Sequence, residues 1–93
     1  MTGNIIINGT ITCTPDDIEM VVERVAEHVR LTRLEAGCIK FDITQSDDDP
    51  CVFNVSECFV DRAAFDSHTA RTRASIWWEK SKHIPRDMNI LTE

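Results

Sequence analysis

Cys38-Ile39-Lys40-Phe41-Asp42-Ile43-Thr44-Gln45, then Ser46-Asp47-Asp48-Asp49-Pro50, then Cys51-Val52-Phe53-Asn54-Val55-Ser56-Glu57-Cys58-Phe59-Val60 is the stretch whose reading decides the fold. Its first part alternates, with Ile39, Phe41 and Ile43 facing one way and Lys40, Asp42 and Thr44 the other. Side chains of a strand point to opposite faces in turn, so this pattern predicts a half-buried strand. Asp47 to Pro50 is polar, and Pro50 cannot continue a ladder, which makes the run a hairpin tip. The return strand carries Phe53, Val55, Glu57 and Phe59 on one face. A carboxylate therefore interrupts an apolar row, and such a local conflict marks a position to explain.

Working upstream, Thr14-Pro15-Asp16-Asp17 reads as a helix start. Thr14 is the expected N-cap, Pro15 fills the first helical position, and Asp16, Asp17 and Glu19 complement the positive dipole end. Ile18, Val21, Val22, Val25, Ala26 and Val29 recur at helical spacing and predict one buried stripe. Glu19, Glu23 and Glu27 run down a different, solvent-facing side, and His28 beside them is expected to be solvated. Gly37 is expected to close the helix. Before it, Ile5 to Cys13 is rich in β-branched residues and predicts a first strand. Ile5, Ile7, Ile11 and Cys13 share its apolar face, and Asn8 lies on the more polar one.

Downstream, Asp61 reads as the cap of a short helix carrying Phe65 and His68. A second helical piece from about Thr72 to Lys82 holds Trp77 and Trp78 and ends before Pro85. Asp87 to Thr92 alternates as a last strand. The order β-α-β-β-α-α-β predicts an α+β, ferredoxin-like subunit whose four-stranded antiparallel sheet has helices on one face. The other face needs a cover on so short a chain, so two sheets packed into a homodimeric barrel are expected.

The 93 residues, 42% hydrophobic and 28% charged, predict one domain over residues 1–93 and exclude low-complexity or largely disordered classes. A net charge of −6 repels a phosphate backbone, so no nucleic acid is expected. No apolar run is long enough to span a membrane, and Met1-Thr2-Gly3-Asn4 lacks the features of a secretory leader. Cys13, Cys38, Cys51 and Cys58 form no paired metal-ligand spacing, and His28, His68 and His83 are scattered. Reduced cysteines in a cytoplasmic protein are the expectation. The Asp47-Asp48-Asp49 run lacks the spaced ligands of a calcium loop.

Glu35-Ala36-Gly37-Cys38-Ile39-Lys40-Phe41, Asp49-Pro50, Phe53, Glu57, Phe59 and Asp61-Arg62-Ala63-Ala64-Phe65-Asp66-Ser67-His68 together resemble the antibiotic biosynthesis monooxygenase superfamily. The resemblance runs from about Ile5 to Ile90 and is densest between residues 35 and 68; Ala36 stands where the family usually has proline. Thr69 to Pro85 matches none of its motifs. The resemblance implies a dimeric α+β barrel with a small apolar pocket in each subunit. Some members oxidise hydroxy-aromatics or quinols to quinones with O2 and no flavin, haem or metal; others degrade haem or isomerise small sugar-derived signals. A fold shared by several chemistries does not choose among them.

A cofactor-independent oxygenase must take a proton from a phenol, because the anion reduces dioxygen more readily, and must keep its pocket dry. His68 suits the base, with an ordinary pKa of about 6.5; the alternative is a histidine near a helix end. Glu57 orients His68 or anchors the second helix, or else forms an ion pair with Arg62 or Lys40. Asn8 offers an amide to a substrate oxygen, and Phe65 and Trp78 are expected at the pocket. Haem-degrading relatives carry an iron-ligating histidine near the position of Trp78, and a tryptophan there argues against haem. The leading expectation is therefore a monooxygenase of a small hydroxy-aromatic or quinol, with His68 and Glu57 catalytic. A non-catalytic barrel that binds a small apolar ligand and an isomerase of a small carbonyl compound are the alternatives.

Overall fold

The computed structural model describes residues 3–93, so Met1 and Thr2 of the N-terminal tetrapeptide discussed above lie outside the described residues. The strands are β1 (Ile5–Thr12), β2 (Cys38–Gln45), β3 (Val52–Phe59) and β4 (Arg86–Thr92), and the helices are α1 (Ile18–Arg33), α2 (Arg62–Arg73) and α3 (Ile76–Ser81). The sheet runs β2-β3-β1-β4 with every neighbour antiparallel. This is the ferredoxin-like order, with β1 and β3 at the centre because each helical crossover skips a strand. Ile5, Ile7, Ile11, Phe53, Val55 and Phe59 all turn to the helices and are nearly inaccessible. Two clusters fill the layer: one joins Ile11, Val21, Val25, Phe53 and Trp77, the other Ile5, Ile7, Phe41 and Phe59.

Local chemistry explains where the elements begin and end. Asp61 accepts a hydrogen bond from the Ala64 amide at 2.8 Å and caps α2, and the Ser75 hydroxyl accepts one from the Trp78 amide at 3.2 Å and caps α3. At the hairpin tip the Asp49 carboxylate accepts from Cys51 N at 2.9 Å and the Ser46 hydroxyl from Asp48 N at 3.2 Å, so the acidic run satisfies its own turn. The four cysteines are all free.

Several details depart from the sequence expectations. Thr14 makes no side-chain cap, and Pro15–Asp17 forms a 3₁₀ turn before α1. The buried seam of α1 runs Val21, Val25, His28, Thr32, while Val22 is 47% exposed and Ala26 is also exposed. Each residue advances about 100° around a helix, so the valine and alanine one step beyond the seam swing out. The same spacing carries His28 inward: it is 4% exposed, not solvated. In β2 the pairing slips between Cys38 and Lys40, and this bulge leaves Ile39 55% exposed, outside the expected alternation. The helix-free face is also more polar than expected, with Asn8, Thr10, Asn54, Ser56 and Asn89 beside Ile6, Cys58 and Leu91.

Gly37 does not terminate α1, which ends at Arg33 with Leu34 at its C-cap, and no glycine of the described residues has positive φ. Its function is proximity: a Cβ at Gly37 would lie 2.3 Å from the Cβ of Ala64. The α1–β2 turn can therefore press directly onto the first turn of α2. Gly37→Ala is expected to destabilise the fold by about 1–3 kcal/mol through overpacking. Adding Ala64→Gly should return part of that loss despite the poorer helix propensity of glycine; thermal melts of the single and double variants check both effects.

Candidate active site

A cavity of about 260 Å³ opens between the sheet and the helices. Its walls are mainly apolar: Ile7 and Ile11 from β1, Phe41 and Ile43 from β2, Val55 from β3, Met88 and Ile90 from β4. Phe65 contributes from α2, and Trp77 and Trp78 from α3. A cavity of about 150 Å³ is enough for benzene, so this space suits one substituted aromatic ring. The polar groups facing it include His28, Glu57, His68, Thr72 and Arg86.

His68 is placed by the Asp61 cap and the helix it starts. Its ring lies between Phe59, with centroids 4.8 Å apart, and Phe41, at 5.3 Å, and the residue is 6% exposed. It is packed, rather than standing at a rim. Nδ1 lies 3.1 Å from Glu35 Oε1 and donates to that carboxylate. Arg71 pairs with the other Glu35 oxygen and also donates to the Thr32 hydroxyl at 2.8 Å. With its proton committed to Nδ1, the neutral ring leaves Nε2 bare. That nitrogen faces the Thr72 hydroxyl at 3.4 Å and Glu57 Oε1 at 4.0 Å. Burial lowers the His68 pKa, and Glu35 opposes that shift.

Glu57 forms no ion pair with Arg62 or Lys40, which corrects one of its expected roles; Arg62 instead pairs with Asp66 on its own helix. The role of orienting His68 also needs correcting, because the carboxylate at its Nδ1 is Glu35. Glu57 is left nearly enclosed on the face between Val55 and Phe59, and burial, aided by Glu35, pushes its pKa up to about 7. Phe65 and Trp78 both reach the cavity, Phe65 packing on Phe59 and Trp78 lying under the Arg86 guanidinium at 5.2 Å. Trp77 is the core member of the pair, 5% exposed. Asn8 is not brought there. It follows Ile7 by one residue, so the strand period turns it to the exposed helix-free face. His83 pairs with Asp17 at 2.9 Å on the surface.

Sequence reasoning missed several residues of this site, Thr72, Arg71 and Arg86 among them, and two of the others carried a readable signal. Glu35 had a signal, since it opens the motif that carries the family resemblance, but nothing there showed where its carboxylate points. His28 had one too: it continues the 21-25-28-32 spacing. Among the described residues no group of three or more His, Cys, Asp or Glu could hold a metal ion.

The fold is thus an α+β sheet-and-helix layer with a small, mainly apolar cavity, beside which a carboxylate holds a histidine. Residues 4–83 match the antibiotic biosynthesis monooxygenase family, and the chain belongs to it. A protein of Nitrosomonas europaea assigned to the antibiotic biosynthesis monooxygenases superposes with a TM-score of 0.87 at 22% identity, covering 100% of this chain and 92% of that one. A Shewanella oneidensis protein gives 0.81 at 24% identity, with 98% and 91% covered. A Deinococcus radiodurans protein, also assigned to the antibiotic biosynthesis monooxygenases, gives 0.79 at 20% identity, with 96% and 89% covered. At such identities the likeness speaks for the fold. No curated protein matches the chain. No helix among the described residues is long and apolar enough to cross a membrane.

The raised pKa of Glu57 has a stability consequence. The folded state resists ionising this group while the unfolded chain ionises it near 4.5, so its contribution is full below about 4.5 and is lost as pH rises through about 7. Glu57→Gln should therefore melt above the parent at pH 8, by an amount equivalent to at most about 3 kcal/mol. The gap should close between pH 7 and pH 4.5; parallel melts across that range check the sign.

Proposed function

We propose that the protein is a monooxygenase that oxidises a small hydroxy-aromatic or quinol with O2 and needs no cofactor, with His68 as its base. The observation that carries this reading is the Glu35–His68 pair. Nδ1 is held at 3.1 Å by a carboxylate, and the bare Nε2 faces Thr72 and Glu57, which with His68 line the 260 Å³ cavity. A phenolic O–H set there passes its proton to Nε2, and the electron pair stays on oxygen. The electron-rich ring then reduces dioxygen; one oxygen atom enters the ring, the other leaves as water, and the organic product is a quinone. Apolar walls exclude bulk water from these intermediates. Glu57, 4.0 Å from Nε2 and titrating near neutrality, can take the proton onward. Trp78 and Phe65 offer aromatic surface to the substrate ring.

The same two groups favour one second reading. A base and a carboxylic acid titrating near neutrality could also move a proton between carbons of a small carbonyl compound, as an isomerase does. Oxygen consumption separates the two, since an isomerase uses none.

His68→Ala should lower kcat/KM for a quinol substrate by about 10²–10⁴. Because His68 is packed, that variant will also melt earlier. Glu35→Gln, which leaves the imidazole in place, should lower kcat and shift the histidine-dependent limb of the pH profile. Oxygen-electrode traces over a panel of hydroquinones provide the measurement. Full turnover by both variants would remove the base from His68.

We also propose a homodimer in which two helix-free sheet faces meet, placing Ile6, Cys58 and Leu91 against a second copy and Asn8, Asn54 and Asn89 where they can bond across it. An interface of about 1,200–2,000 Å² would suffice. Sedimentation at micromolar concentration should give twice the chain mass of 10.6 kDa; a monomer contradicts this assembly. Free cysteines suit a reducing compartment, and we place the protein in the cytoplasm.

A further inference from the structure

His28 lines the same cavity as His68 and Glu57, and its ring is fixed from three sides. Trp77 stacks on it at 5.7 Å and 23°, Phe41 meets it edge-on at 5.3 Å, and the His68 ring centroid is 5.7 Å away. The residue is 4% exposed, yet its Nδ1 is sealed from solvent with no hydrogen-bond partner. Thr32 bonds to the His28 backbone carbonyl rather than to the ring. A buried polar atom left unpaired calls for a reason.

The enclosed nitrogen sets the tautomer. Placing the proton on Nε2, which unlike Nδ1 is not sealed without a partner, leaves no buried N–H orphaned. His68 has the opposite arrangement, because Glu35 takes its Nδ1–H. The two imidazoles therefore present complementary faces, one an acceptor and one a donor. Burial, reinforced by His68, Arg71 and Arg86, holds the His28 pKa down to about 3, so the ring stays a neutral donor across the neutral range.

We propose that His28 is a second catalytic residue, whose Nε2–H donates a hydrogen bond to the same substrate oxygen that His68 deprotonates. This inference rests on the proposed ionisation of a phenol in the cavity. In the step concerned the substrate O–H bond breaks, the proton passes to His68 Nε2, and the electron pair remains on the phenolate oxygen. Nothing is oxidised or reduced. His28 takes up the developing negative charge through its hydrogen bond, and a pre-oriented donor in a low-dielectric cavity needs no reorganisation to do so. A neutral imidazole is a suitable electrophile because it stabilises the anion without giving up its proton. The ligand class is a single-ring phenol with its hydroxyl turned inward.

His28 also walls a shallower groove between α1 and α3 with Arg24, Leu31 and Ser75. A proton on Nε2 directed to that groove would leave the substrate oxygen without this donor, so the test must separate the two arrangements. The probe is 4-nitrophenol, whose phenolate absorbs visibly, titrated while bound to the parent, His28→Phe and His28→Gln. The charged and titratable groups around it are Glu57 and His68 with its partner Glu35, then Arg71, Arg73 and Arg86; all are retained in every variant.

The parent should bind 4-nitrophenol and ionise it at lower pH than water does. His28→Phe should raise the bound pKa by about one unit, a tenfold loss of phenolate. His28→Gln, which keeps an N–H donor, should recover part of it. With a quinol substrate, kcat should fall more than KM changes. Nitrogen-15 spectra of the parent supply a measurement that needs no variant to fold: Nε2 should carry the proton and shift when 4-nitrophenol binds. An unchanged bound pKa in a folded His28→Phe, a protonated Nδ1, or a parent that does not bind the probe would each overturn the proposal. A parent that ionises the probe in a His28-dependent way yet consumes no oxygen with any quinol would sustain it and overturn the oxygenase reading.

Discussion

The Glu35 carboxylate is the joint on which the site depends. It sits in the turn between α1 and β2, and its two oxygens are shared by His68 and Arg71, both on α2. One acidic group therefore clamps two segments far apart in sequence, orients the imidazole and neutralises the guanidinium beside it. Arg71 continues the network to the Thr32 hydroxyl, which in turn bonds to the carbonyl of His28. Removing one partner from such a partly buried pair costs more than the pair contributes, because the other charge is left stranded. The arrangement is a device for positioning as much as for stability.

Two close approaches of backbone shape the site, one at that joint and one at the β4 edge of the sheet. Gly37 lets the turn carrying Glu35 press on Ala64, and the β2 bulge at Cys38 to Lys40 follows immediately. On the other side of the sheet centre, a Cβ at Gly9 would meet the Asp87 carbonyl oxygen at 2.1 Å, so glycine there lets β4 draw in beside β1. β4 brings Arg86 and Met88 to the cavity. The Arg86 guanidinium donates to the carbonyls of Ser81 and Ile84 and covers both tryptophans, fixing the end of α3 over the pocket. The cavity is small because its walls are rigid rings and branched aliphatics held by these contacts.

The electrostatics of the cavity follow from the burial of its polar groups. Of the titratable side chains facing this largely apolar space, His28, Glu57 and His68 are the three near one another, and burial is the first cause of each of their shifts. Each is pushed toward its neutral form: the imidazoles downward, the carboxyl upward. Only His68 has a carboxylate opposing that push through a hydrogen bond, so it alone among the three has a partner that would stabilise its protonated form. That asymmetry supports the proposal that it is the base.

By itself the sequence determined the element order, the hairpin and its turn, the α2 cap at Asp61, and the inward face of β3 including Glu57. These follow from period-two alternation, turn residues and capping chemistry, all of which act over a few neighbours. It also carried, in the stretch from Glu35 to His68, the family to which the chain belongs. Tertiary structure decided the rest. Whether Val22 or His28 turns inward depends on how α1 is rotated against the sheet, a choice the full apolar set left open by about one residue, or 100°. Asn8 lost its place at the site because neighbouring strand residues face opposite ways, and only packing of the helices determined which face encloses the cavity. The partner of His68 was undetermined for the same reason: Glu35 and Glu57 are both carboxylates, and only the approach of the α1–β2 turn to α2 brought Glu35 to Nδ1.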